Sequence, residues 1–456
     1  MGAMSSKSIA ILGAGVTGLA AAYRLAAKGH RVRVFEQNAR IGGAVGTEAA
    51  DGWLVETGPN SLQESPELAA LIRELGLESA RVEAGPLAKN RFLLKGSRPV
   101  AVPMSPPAFI KSELFSAWAK LRILGEILKR PRIRQSDVSL AEFVRDHFGR
   151  EILERAVQPI VSGIYAGDPA QLSVREAFPK ILEYERTHGS LIRGMIAGAK
   201  QRRKLGQGGP AKIISFSRGL QMLPEALAAR LPEGSVSLRT SVLRITPGSR
   251  WRVAFRFERG QTEDEFDAVI SGLPAPALAE LEIGEDGRRP LASLAAINHP
   301  PVSSLFLGFR RDQVAHPLDG FGILVPSIER RWVLGILFSS SLFPGRAPDG
   351  HVALTVMVGG RLQPEIARLM TVDLLSVALA DIRGILGITG EPVFWRHNFW
   401  PRAIAQYDVG FGAHRQAMAD CERAFPGLFI GGQARDGISV PDCLASGLKL
   451  ADRASP

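Results

Sequence analysis

Cysteine and histidine, the residues that build disulfide frameworks and metal sites, are scarce in this 456-residue chain. It has only two cysteines, Cys421 and Cys443, and its eight histidines show no H-E-x-x-H or comparable ligand spacing. We therefore expect neither a disulfide framework nor a metal site. The scarcity of cysteine fits a reducing compartment best, and we expect a cytoplasmic protein.

Tyrosine and nucleic-acid-binding motifs are also sparse. The chain has four tyrosines, no zinc-finger spacing and no recognisable nucleic-acid module, which argues against a nucleic-acid partner. The formal net charge of +11 nevertheless favours anionic partners. An anionic lipid surface and an acidic small molecule are two such partners, and a contribution to solubility alone is the alternative.

Long apolar runs are absent. The longest stretch without a charged residue, 290–309, contains Asn-His-Pro-Pro at 298–301 and cannot span a bilayer as a helix. The apolar run after Lys7 holds the glycines of a fold motif, so we do not interpret it as a secretory signal. We expect residues 1–6 to be a leader or a cloning remnant.

The length is too great for one ordinary core, so two or more domains are expected. Apolar content of 45% and charged content of 22% are ordinary for a globular protein. The Gly-rich segment 205–209 is expected to be mobile.

The first 36 residues predict a strand, a helix and a second strand. Residues 9–12 form a short apolar run that suits a buried parallel strand, and 19–28 are Ala-rich and helical in pattern. Residues 31–35 alternate as a second strand, which Glu36 ends. This order is typical of a mononucleotide-binding βαβ unit.

Three glycines at G-x-G-x-x-G spacing join this strand to this helix. Gly13 allows the tight turn, Gly15 lets a pyrophosphate approach the backbone, and Gly18 lets the helix pack closely on the strand. The helix N-terminus offers free N–H groups to the phosphates. Glu36 can accept hydrogen bonds from the ribose hydroxyls, which favours an unphosphorylated ribose.

The residues that follow indicate which dinucleotide is bound. Arg-Ile-Gly-Gly at 40–43 comes directly after the ribose acid, and 51–59 ends in Glu-Thr-Gly-Pro. This pattern resembles the FAD-binding, amine-oxidase-like flavoproteins. Gly42 and Gly43 would let the backbone approach the cofactor, and Arg40 could reach its phosphates.

A basic and apolar stretch, 109–134, is expected to be an amphipathic helical segment. It is expected to follow a proline-containing loop at 102–107. One interpretation is a helical surface that lies on an anionic membrane, and the other is a helix packed on its own domain with snorkelling lysines. Both interpretations stay open. A second loop is predicted at 163–169.

Further motifs extend over nearly the whole chain and resemble the protoporphyrinogen oxidase family. They are G-A-V-G-T at 43–47, G-P-N-S at 58–61, N-R-F at 90–92, G-I-Y-A-G-D at 163–168, R-G-L-Q-M-L-P at 218–224, G-F-G-x-L-V-P at 320–326, Q-Y at 406–407 and V-P-D-C at 440–443.

This resemblance implies two sets of site residues. The implied substrate-binding residues are Arg91, Phe92, Gly167, Phe321, Gly322, Leu324 and Met357. The implied FAD-binding residues are Gly13, Ala14, Gly15, Val16, Thr17, Gly18, Glu36, Gln37, Arg40, Gly42, Gly43, Ala44, Gly58, Pro59, Asn60, Ser61, Val242, Gly432, Gln433, Ile438, Ser439 and Val440. Arg91 would anchor a propionate, although a surface strand arginine is the alternative. The apolar residues would hold the macrocycle, and ordinary core packing is their alternative.

The resemblance also implies an α/β fold, α+β overall. A Rossmann-type FAD-binding domain is expected to be discontinuous in sequence, beside a mixed-sheet substrate domain and an inserted, mainly helical domain that could bind a membrane. The FAD-binding domain is expected from 1–85, 206–275 and 416–456, the substrate domain from 86–108 and 276–415, and the helical domain from 109–205.

The implied activity is the oxygen-dependent, six-electron oxidation of protoporphyrinogen IX to protoporphyrin IX in haem biosynthesis. It would proceed by hydride transfer to FAD, with reoxidation by molecular oxygen to hydrogen peroxide. No catalytic side chain is nominated. The alternatives are coproporphyrinogen III oxidation, an amine or carotenoid oxidoreductase on the same fold, and a flavin-binding partner protein without turnover.

The expected partners are the porphyrinogen, molecular oxygen, the inner face of an anionic membrane, and a ferrochelatase that receives the product. A homodimer is left open. One departure from the family pattern stands at 433–436, where Gln-Ala-Arg-Asp replaces the usual residues. This departure leaves the contacts of that loop undetermined.

Overall fold

A computed structural model describes residues 6–204 and 212–455. The Gly-rich segment 205–209 and the first five residues of the expected leader lie outside these ranges. So does the predicted domain boundary between 205 and 206.

A five-stranded parallel sheet, the cofactor sheet, contains the predicted N-terminal unit. Its strands lie in the order Val236–Ser237, Arg31–Phe35, Ser8–Leu12, Ala268–Ser271 and Leu428–Ile430. The predicted strands at 9–12 and 31–35 are confirmed, and the predicted helix begins slightly earlier, as Val16–Ala27. Ile9 and Ile11 are fully buried, as expected for a parallel strand covered on both faces.

Distant parts of the chain build this sheet, so it is discontinuous in sequence as predicted. The C-terminal helix Val440–Ala454 packs beside Val16–Ala27 on one face. A small four-stranded sheet covers the other face, with antiparallel strands Ser241–Thr246, Trp251–Phe257 and Gly260–Phe266, and with Glu282–Ile283 pairing in parallel at its edge. Phe35 packs its ring against Phe255 and Phe266 of this sheet.

Smaller elements complete the cofactor side of the molecule. They are the hairpin Thr47–Ala50 and Trp53–Glu56, the three-stranded sheet Leu62–Gln63, Ile213–Phe216 and Arg81–Glu83, and the helices Pro66–Glu74, Met222–Ala228, Ala275–Glu280 and Gly412–Ala424. Ala275 and Leu278 share a buried cluster with Leu12 and Val269 of the cofactor sheet. The boundary between 275 and 276, like the other domain boundaries, stays a prediction.

A seven-stranded mixed sheet, the roof sheet, forms the second layer. Its strands lie in the order Phe394–Trp400, Val302–Arg310, His351–Gly359, Val333–Leu337, Gly322–Leu324, Phe92–Lys95 and Arg98–Ala101. Every neighbouring pair is antiparallel except Gly322–Leu324 with Phe92–Lys95. The helix Thr371–Leu386 buries Leu374, Ala378 and Ile382 against one face, and the short helix Ser339–Leu342 follows the fourth strand.

A helical insert separates the two early strands of the roof sheet from the later ones. Its helices are Pro106–Lys111, Ala117–Glu126, Leu140–Phe148, Arg150–Ile152, Gln158–Tyr165, Val174–Ala177, Pro179–His188 and Leu191–Lys204, with a π-helical turn at Leu153–Val157. Within the described ranges, no helix combines the length and the apolar character that crossing a bilayer requires.

Two predictions at the start of the insert are wrong in part. The loop predicted at 102–107 ends early, because Ser105 caps the helix Pro106–Lys111 and proline fits the first helical turn. The segment 109–134 is not one helical stretch, because the chain leaves the helix at Ser112 and begins a second helix after the capping Ser116. Polar capping residues override the amphipathic pattern here.

The predicted loop at 163–169 is also shorter than expected. The helix Gln158–Tyr165 continues through its first three residues and ends at Ala166, which has a positive φ of 51°. This left-handed residue turns the chain away from the helix axis.

A buried ionic cluster holds the insert together. His147 lies between Glu126 and Glu185, with its ring nitrogens 2.8 and 3.1 Å from their carboxylate oxygens. Arg134 donates to Glu185 at 2.8 and 2.9 Å. Burial tends to raise the pKa of Glu185, but these hydrogen bonds hold that pKa below its ordinary value. The cluster joins the second helix of the insert to three other segments.

Replacing Gly447 tests the packing between the first and last helices. A Cβ at Gly447 would lie 2.1 Å from the backbone oxygen of Thr17, so Gly447→Ala must push the two helices apart. We expect the free energy of unfolding to fall by about 1–3 kcal/mol, measured by denaturant titration. Gly384→Ala is the matched control, because a Cβ at this helical glycine meets no atom within 4 Å. Equal stability of the two variants would contradict this packing.

Candidate functional site

One large cavity of about 2000 Å³ lies between the cofactor sheet, the roof sheet and the helical insert. It exceeds the roughly 300–1,000 Å³ of an ordinary ligand pocket, so it has room for two ligands side by side. Most of the predicted site residues line it. The four exceptions are Ala14, Gly18, Gly167 and Gly432.

The glycine turn after the first strand faces this cavity with its backbone. Gly13 has a φ of 96°, which favours glycine, and its N–H donates to the carbonyl of Phe35 at 2.8 Å. A Cβ at Gly15 would meet no atom within 4 Å, so the backbone is open to a ligand there. The helix then begins at Val16 without a side-chain cap or an acid in its first turn. This uncapped N-terminus suits a pyrophosphate.

Gly18 and Ala14 lie behind this turn. A Cβ at Gly18 would lie 1.9 Å from the carbonyl oxygen of Gly13, so only glycine allows this approach of helix to turn. Ala14 contributes its backbone instead of its side chain, and its N–H donates to Glu36 at 2.9 Å. Both residues therefore shape the turn from outside the cavity lining.

The second glycine pair packs directly on the first turn. Gly15 and Gly42 form an isolated parallel bridge, and the N–H of Gly42 donates to the carbonyl of Ala14 at 2.8 Å. A Cβ at Gly43 would lie 3.2 Å from the Cα of Gly15. The two backbone segments can meet because neither has a side chain at the contact.

Arg40 lines the cavity and also supports this second loop. Its guanidinium donates to the carbonyls of Ile41, Gly43 and Val45 at 3.3, 2.8 and 2.9 Å. A charged group held by backbone carbonyls beside an uncapped helix N-terminus adds to the positive potential there.

Glu36 ends the second strand and is 6% exposed. One carboxylate oxygen accepts from the N–H of Ala14, and the other accepts from the backbone N–H and the side-chain amide of Asn38. These bonds fix the carboxylate at the cavity wall. A carboxylate has about four lone-pair positions, so acceptor capacity remains for a ligand hydroxyl.

Other lining residues come from separate parts of the chain. A Cβ at Gly58 would lie 1.9 Å from the carbonyl oxygen of Ala44, which explains a glycine at this point of the wall. The further predicted residues that line the cavity are Thr17, Gln37, Pro59, Asn60, Ser61, Val242, Ile438, Ser439 and Val440.

The loop 433–436, whose contacts the sequence left undetermined, is divided between cavity and core. Gln433 lines the cavity, and its carbonyl accepts from the Tyr407 hydroxyl at 2.7 Å. Arg435 points to Glu422 at 3.0 Å. Asp436 accepts from the N–H of Gly432 at 3.1 Å. The departure from the family pattern thus introduces two charges that are paired or hydrogen-bonded within the cofactor side.

The roof sheet covers the other half of the cavity with apolar side chains. Phe92, Phe321, Leu324 and Met357 line it, as does the backbone of Gly322. A Cβ at Gly322 would lie 2.2 Å from the carbonyl oxygen of Ile336, so strand pairing demands glycine there. These five residues, which the resemblance implied for substrate binding, therefore lie on one wall of the cavity.

Arg91 stands at the rim of this apolar half. Its side chain is exposed, and its guanidinium carbon lies 5.2 Å from the centre of the Phe321 ring, within cation–π range. Within the described ranges it forms no ion pair. A charged group held by a ring and left without a carboxylate is available to an anionic ligand.

Gly167 lies outside the cavity lining. A Cβ there would lie 2.4 Å from Oε1 of Gln406, so this glycine accommodates packing behind the wall. The neighbouring Ala166 lines the cavity in its place. The left-handed turn at Ala166 decides which of the two faces the cavity.

Several lining residues of the insert were not predicted. Ile160, Ile164, Tyr165, Phe178 and Lys180 line the same cavity. Tyr165 and Phe178 place their rings 5.4 Å apart. Tyr165 stands in the motif at 163–168, which gave a signal for it, but no motif marked Lys180.

Burial shifts the pKa of two side chains that line the cavity. Burial raises the pKa of the Cys443 thiol to about 12, so this lining residue stays protonated and is not a nucleophile. Burial, with Asp442 nearby, also raises the pKa of Tyr165. Within the described ranges no histidine lines the cavity, and no group of three or more potential metal ligands occurs.

Comparison with known proteins agrees with this arrangement. A model of the flavin containing amine oxidoreductase family matches residues 16–455. Protoporphyrinogen oxidase 2, chloroplastic/mitochondrial, of Arabidopsis thaliana is 34% identical over 99% of this chain and 94% of its own length. Coproporphyrinogen III oxidase of Bacillus subtilis is 29% identical over 97% of this chain and 96% of its own length.

Solved structures share the fold. A crystal structure from Exiguobacterium sp. 255-15, provisionally named protoporphyrinogen oxidase, superposes with a TM-score of 0.83 at 26% identity and covers 99% of both chains. A reduced UDP-galactopyranose mutase superposes with a TM-score of 0.74 at 16% identity, covers 98% of this chain and 95% of its own, and shows the fold alone.

The match over residues 16–455 and the relative at 34% identity agree with a cavity that combines a glycine-built dinucleotide wall and an apolar half. The chain belongs to the flavin-containing amine oxidoreductase family, and it is an oxidoreductase whose cofactor is FAD.

Proposed function

We propose that the chain oxidises protoporphyrinogen IX to protoporphyrin IX in haem biosynthesis, with molecular oxygen as the final acceptor. The observation that carries this proposal is a cavity whose dinucleotide half continues into an apolar half with Arg91 at its rim. A large apolar macrocycle with acidic side chains matches that half in both respects. The names of the relatives at 34% and 29% identity support the same reaction class.

The cofactor-binding residues are proposed on the fit of the cavity wall to FAD. The uncapped first turn of the helix Val16–Ala27 and the open backbone of Gly15 would hold the pyrophosphate. Glu36 would accept from the ribose hydroxyls, and Val242 would face the adenine side. Residues 438–440 would lie beside the ring system. FAD, when bound, supplies the two-electron acceptor of the reaction.

The remaining task of the protein is to position the substrate. Phe92, Phe321, Leu324 and Met357 give an apolar wall that excludes water and holds the macrocycle against the cofactor half. Arg91 would bind a propionate and so fix the edge of the ring that enters. In this role its guanidinium orients the substrate and is not the base of the reaction.

Coproporphyrinogen III is the second candidate substrate. Further cations line the cavity, among them Lys180 and Arg402, and this substrate carries more carboxylates than protoporphyrinogen. A relative at 29% identity is named for its oxidation.

A peripheral membrane contact is proposed for the start of the insert. Trp118 is 77% exposed, Leu128 82% and Ile133 72%, which is far more apolar exposure than a packed helix leaves. The exposed cations of the same segment are Lys111, Arg122, Arg130 and Arg132. Arg134 belongs to the buried cluster and does not contribute to this surface.

Four further points remain proposals. Molecular oxygen would be reduced to hydrogen peroxide, and the product would pass to a ferrochelatase at the inner face of the membrane. A homodimer and the six-segment division into FAD-binding, substrate and helical domains are the other two.

Substitution of Glu36 tests the proposed ribose contact. Glu36→Ala removes a charged acceptor, whose hydrogen bonds are worth about 1.5–3 kcal/mol, so FAD should bind roughly 10- to 150-fold more weakly. The dissociation constant is measured by titrating FAD into the protein after flavin removal. Glu48→Ala is the control, because Glu48 is exposed outside the cavity. Acid precipitation should release the flavin from the wild type. Unchanged FAD affinity in Glu36→Ala would contradict the assignment.

Substitution of Arg91 tests the proposed substrate and its orientation. Loss of a charge-assisted contact worth about 1.5–3 kcal/mol should raise KM for the porphyrinogen roughly 10- to 150-fold in Arg91→Ala. Arg91→Lys keeps the charge but loses the two-pronged guanidinium contact, so its KM should lie between those of the wild type and Arg91→Ala. The flavin content should not change, because Arg91 lies in the apolar half.

Arg98→Ala is the control for this series, because Arg98 is exposed on the adjacent strand and does not line the cavity. Rates of porphyrin formation are followed by fluorescence. An Arg91→Ala enzyme with unaltered KM and kcat would show that Arg91 is only a surface residue of the strand.

Liposome flotation tests the membrane contact. Each exposed cation near an anionic surface is worth about 1 kcal/mol, so Arg130→Gln with Arg132→Gln should lower membrane affinity roughly 30-fold. Binding of the wild type should fall as salt rises. The control pair is Arg256→Gln with Arg259→Gln, both exposed at the hairpin end of the small four-stranded sheet. No binding by the wild type at low salt would favour packing of this segment within its own domain.

A further inference from the structure

The sequence motif Gln-Tyr at 406–407 lies behind the cavity wall. Gln406 is 1% exposed and Tyr407 is 5% exposed, and neither residue lines the cavity. Both stand in the segment 403–410, which follows the strand Phe394–Trp400 of the roof sheet and leads into the helix Gly412–Ala424 of the cofactor side. Buried polar side chains need hydrogen-bond partners, and the partners of these two indicate what the segment does.

The Gln406 side chain binds the end of a helix of the insert. Its amide nitrogen donates to the carbonyl of Tyr165 at 2.8 Å and to the carbonyl of Ile404 at 3.0 Å. Tyr165 and Ile404 both line the cavity. Two carbonyl acceptors fix the orientation of the amide, because only its NH2 group can donate to both. Gln406 therefore joins the wall that comes from the insert to the wall that follows the roof sheet.

The other end of this amide faces Gly167. A Cβ at Gly167 would lie 2.4 Å from Oε1 of Gln406, and within residues 6–204 and 212–455 this oxygen accepts no hydrogen bond. A buried acceptor without a donor costs stability, and an apolar side chain of similar length would avoid that cost. The two bonds of the amide nitrogen are therefore what distinguishes Gln406 from an apolar residue at this position.

A second contact holds the same turn of the insert. The carbonyl of Ala166 accepts from the backbone N–H of Arg361 at 2.8 Å, and the guanidinium of Arg361 pairs with Asp408 at 2.5 Å. The helix that ends in this turn packs on the apolar wall, since a Cβ at Gly163 would lie 2.5 Å from the side chain of Leu324. The turn therefore borders the apolar half of the cavity and is held at two points.

Tyr407 contacts the cofactor side instead. Its hydroxyl donates to the carbonyl of Gln433 at 2.7 Å, and its ring centre lies 4.3 Å from that of Phe411. Burial raises the pKa of Tyr407, so the hydroxyl stays protonated as a donor. Gln433 lines the cavity, and a Cβ at the preceding Gly432 would lie 3.0 Å from Oγ1 of Thr17 in the first turn of the first helix. Tyr407 therefore holds a loop that borders the dinucleotide wall.

The backbone of the dipeptide is fixed as well. The N–H of Gln406 donates to the carbonyl of Asn298 at 2.9 Å, and the carbonyl of Tyr407 accepts from the N–H of Ser173 at 2.8 Å. Side chains on a fixed backbone can hold neighbouring groups in one geometry. The dipeptide thus connects the insert, the loop after the roof sheet and the cofactor side.

We propose that Gln406 and Tyr407 are positioning residues for two different ligands of the cavity. Gln406 holds the turn at Tyr165 and Ala166 against the porphyrinogen, and Tyr407 holds the loop at Gln433 against FAD. Both residues act from behind the wall and touch neither ligand. This inference rests on the proposed function, because it assigns the apolar half to the porphyrinogen and the glycine-built wall to FAD.

Variants that remove one contact at a time test this division. Gln406→Met keeps the length of the side chain without its donor. It should raise KM for protoporphyrinogen IX roughly 3- to 15-fold, and change the dissociation constant of FAD less than about twofold, because the lost bonds hold only the turn. Tyr407→Phe keeps the ring. It should weaken FAD binding roughly 3- to 10-fold, measured after flavin removal, with KM at saturating FAD within about twofold of the wild type.

Binding of the product gives a readout that does not depend on turnover. Fluorescence titration of protoporphyrin IX into the holoenzyme should show weaker binding by Gln406→Met and wild-type affinity in Tyr407→Phe. Asp408→Asn weakens the ion pair at the second contact of the turn, so it should change KM and porphyrin affinity in the same direction as Gln406→Met. This variant tests the same claim if Gln406→Met does not fold.

The matched controls are Gln416→Met and Tyr23→Phe. Gln416 bonds to Asp420 and Tyr23 bonds to Glu74, and all four residues lie outside the cavity lining. A role in folding alone would lower the unfolding temperature and weaken both ligands together in each variant. That result, or unchanged affinity for both ligands in Gln406→Met and Tyr407→Phe, would overturn the inference. A wild type that binds FAD but oxidises no porphyrinogen would instead overturn the proposed function.

Discussion

The site depends on close backbone packing around the first helix. Three glycines let this happen: a Cβ at Gly18 would lie 1.9 Å from the Gly13 oxygen, one at Gly447 would lie 2.1 Å from the Thr17 oxygen, and one at Gly272 would lie 3.2 Å from the Gly18 nitrogen. The glycine turn, the end of the strand Ala268–Ser271 and the last helix therefore all pack against the same helix. Because this packing fixes the helix, its uncapped N-terminus points into the cavity.

The same packing brings together parts of the chain that are far apart in sequence. The cofactor sheet takes strands from the start, the middle and the end of the chain, and the roof sheet takes strands from before and after the helical insert. A dinucleotide wall thereby meets an apolar wall in one cavity. The function follows from this junction, since the cofactor supplies the electron acceptor and the apolar half decides which substrate reaches it.

Local sequence determined the part of the site that is built from local contacts. The first strand, the glycine turn, the helix and Glu36 lie where their pattern predicted, because a turn and a cap depend on residues only a few positions apart. The segment 109–134 was misjudged as one helical stretch, because the capping serines Ser105 and Ser116 interrupt an otherwise helical pattern.

Residues placed by long-range packing were harder to predict. Gly167 faces Gln406 instead of the cavity, since the turn at Ala166 sets the direction of the chain. Lys180 and Arg402 reach the cavity only through the packing of the insert and the order of the strands in the roof sheet. Neither position has a sequence pattern that would mark it, because a cation at a helix start or after a strand is usually a solvent-exposed residue.

The central claim is that a porphyrinogen in the apolar half reduces the flavin held by the glycine-built wall. Anaerobic titration of the oxidised protein with a porphyrinogen tests it most directly. A six-electron donor and a two-electron acceptor predict bleaching of about three flavins per porphyrinogen, with the porphyrin absorbance rising in step and the flavin colour returning when oxygen is admitted. A flavin that dithionite bleaches but neither porphyrinogen reduces would contradict the account.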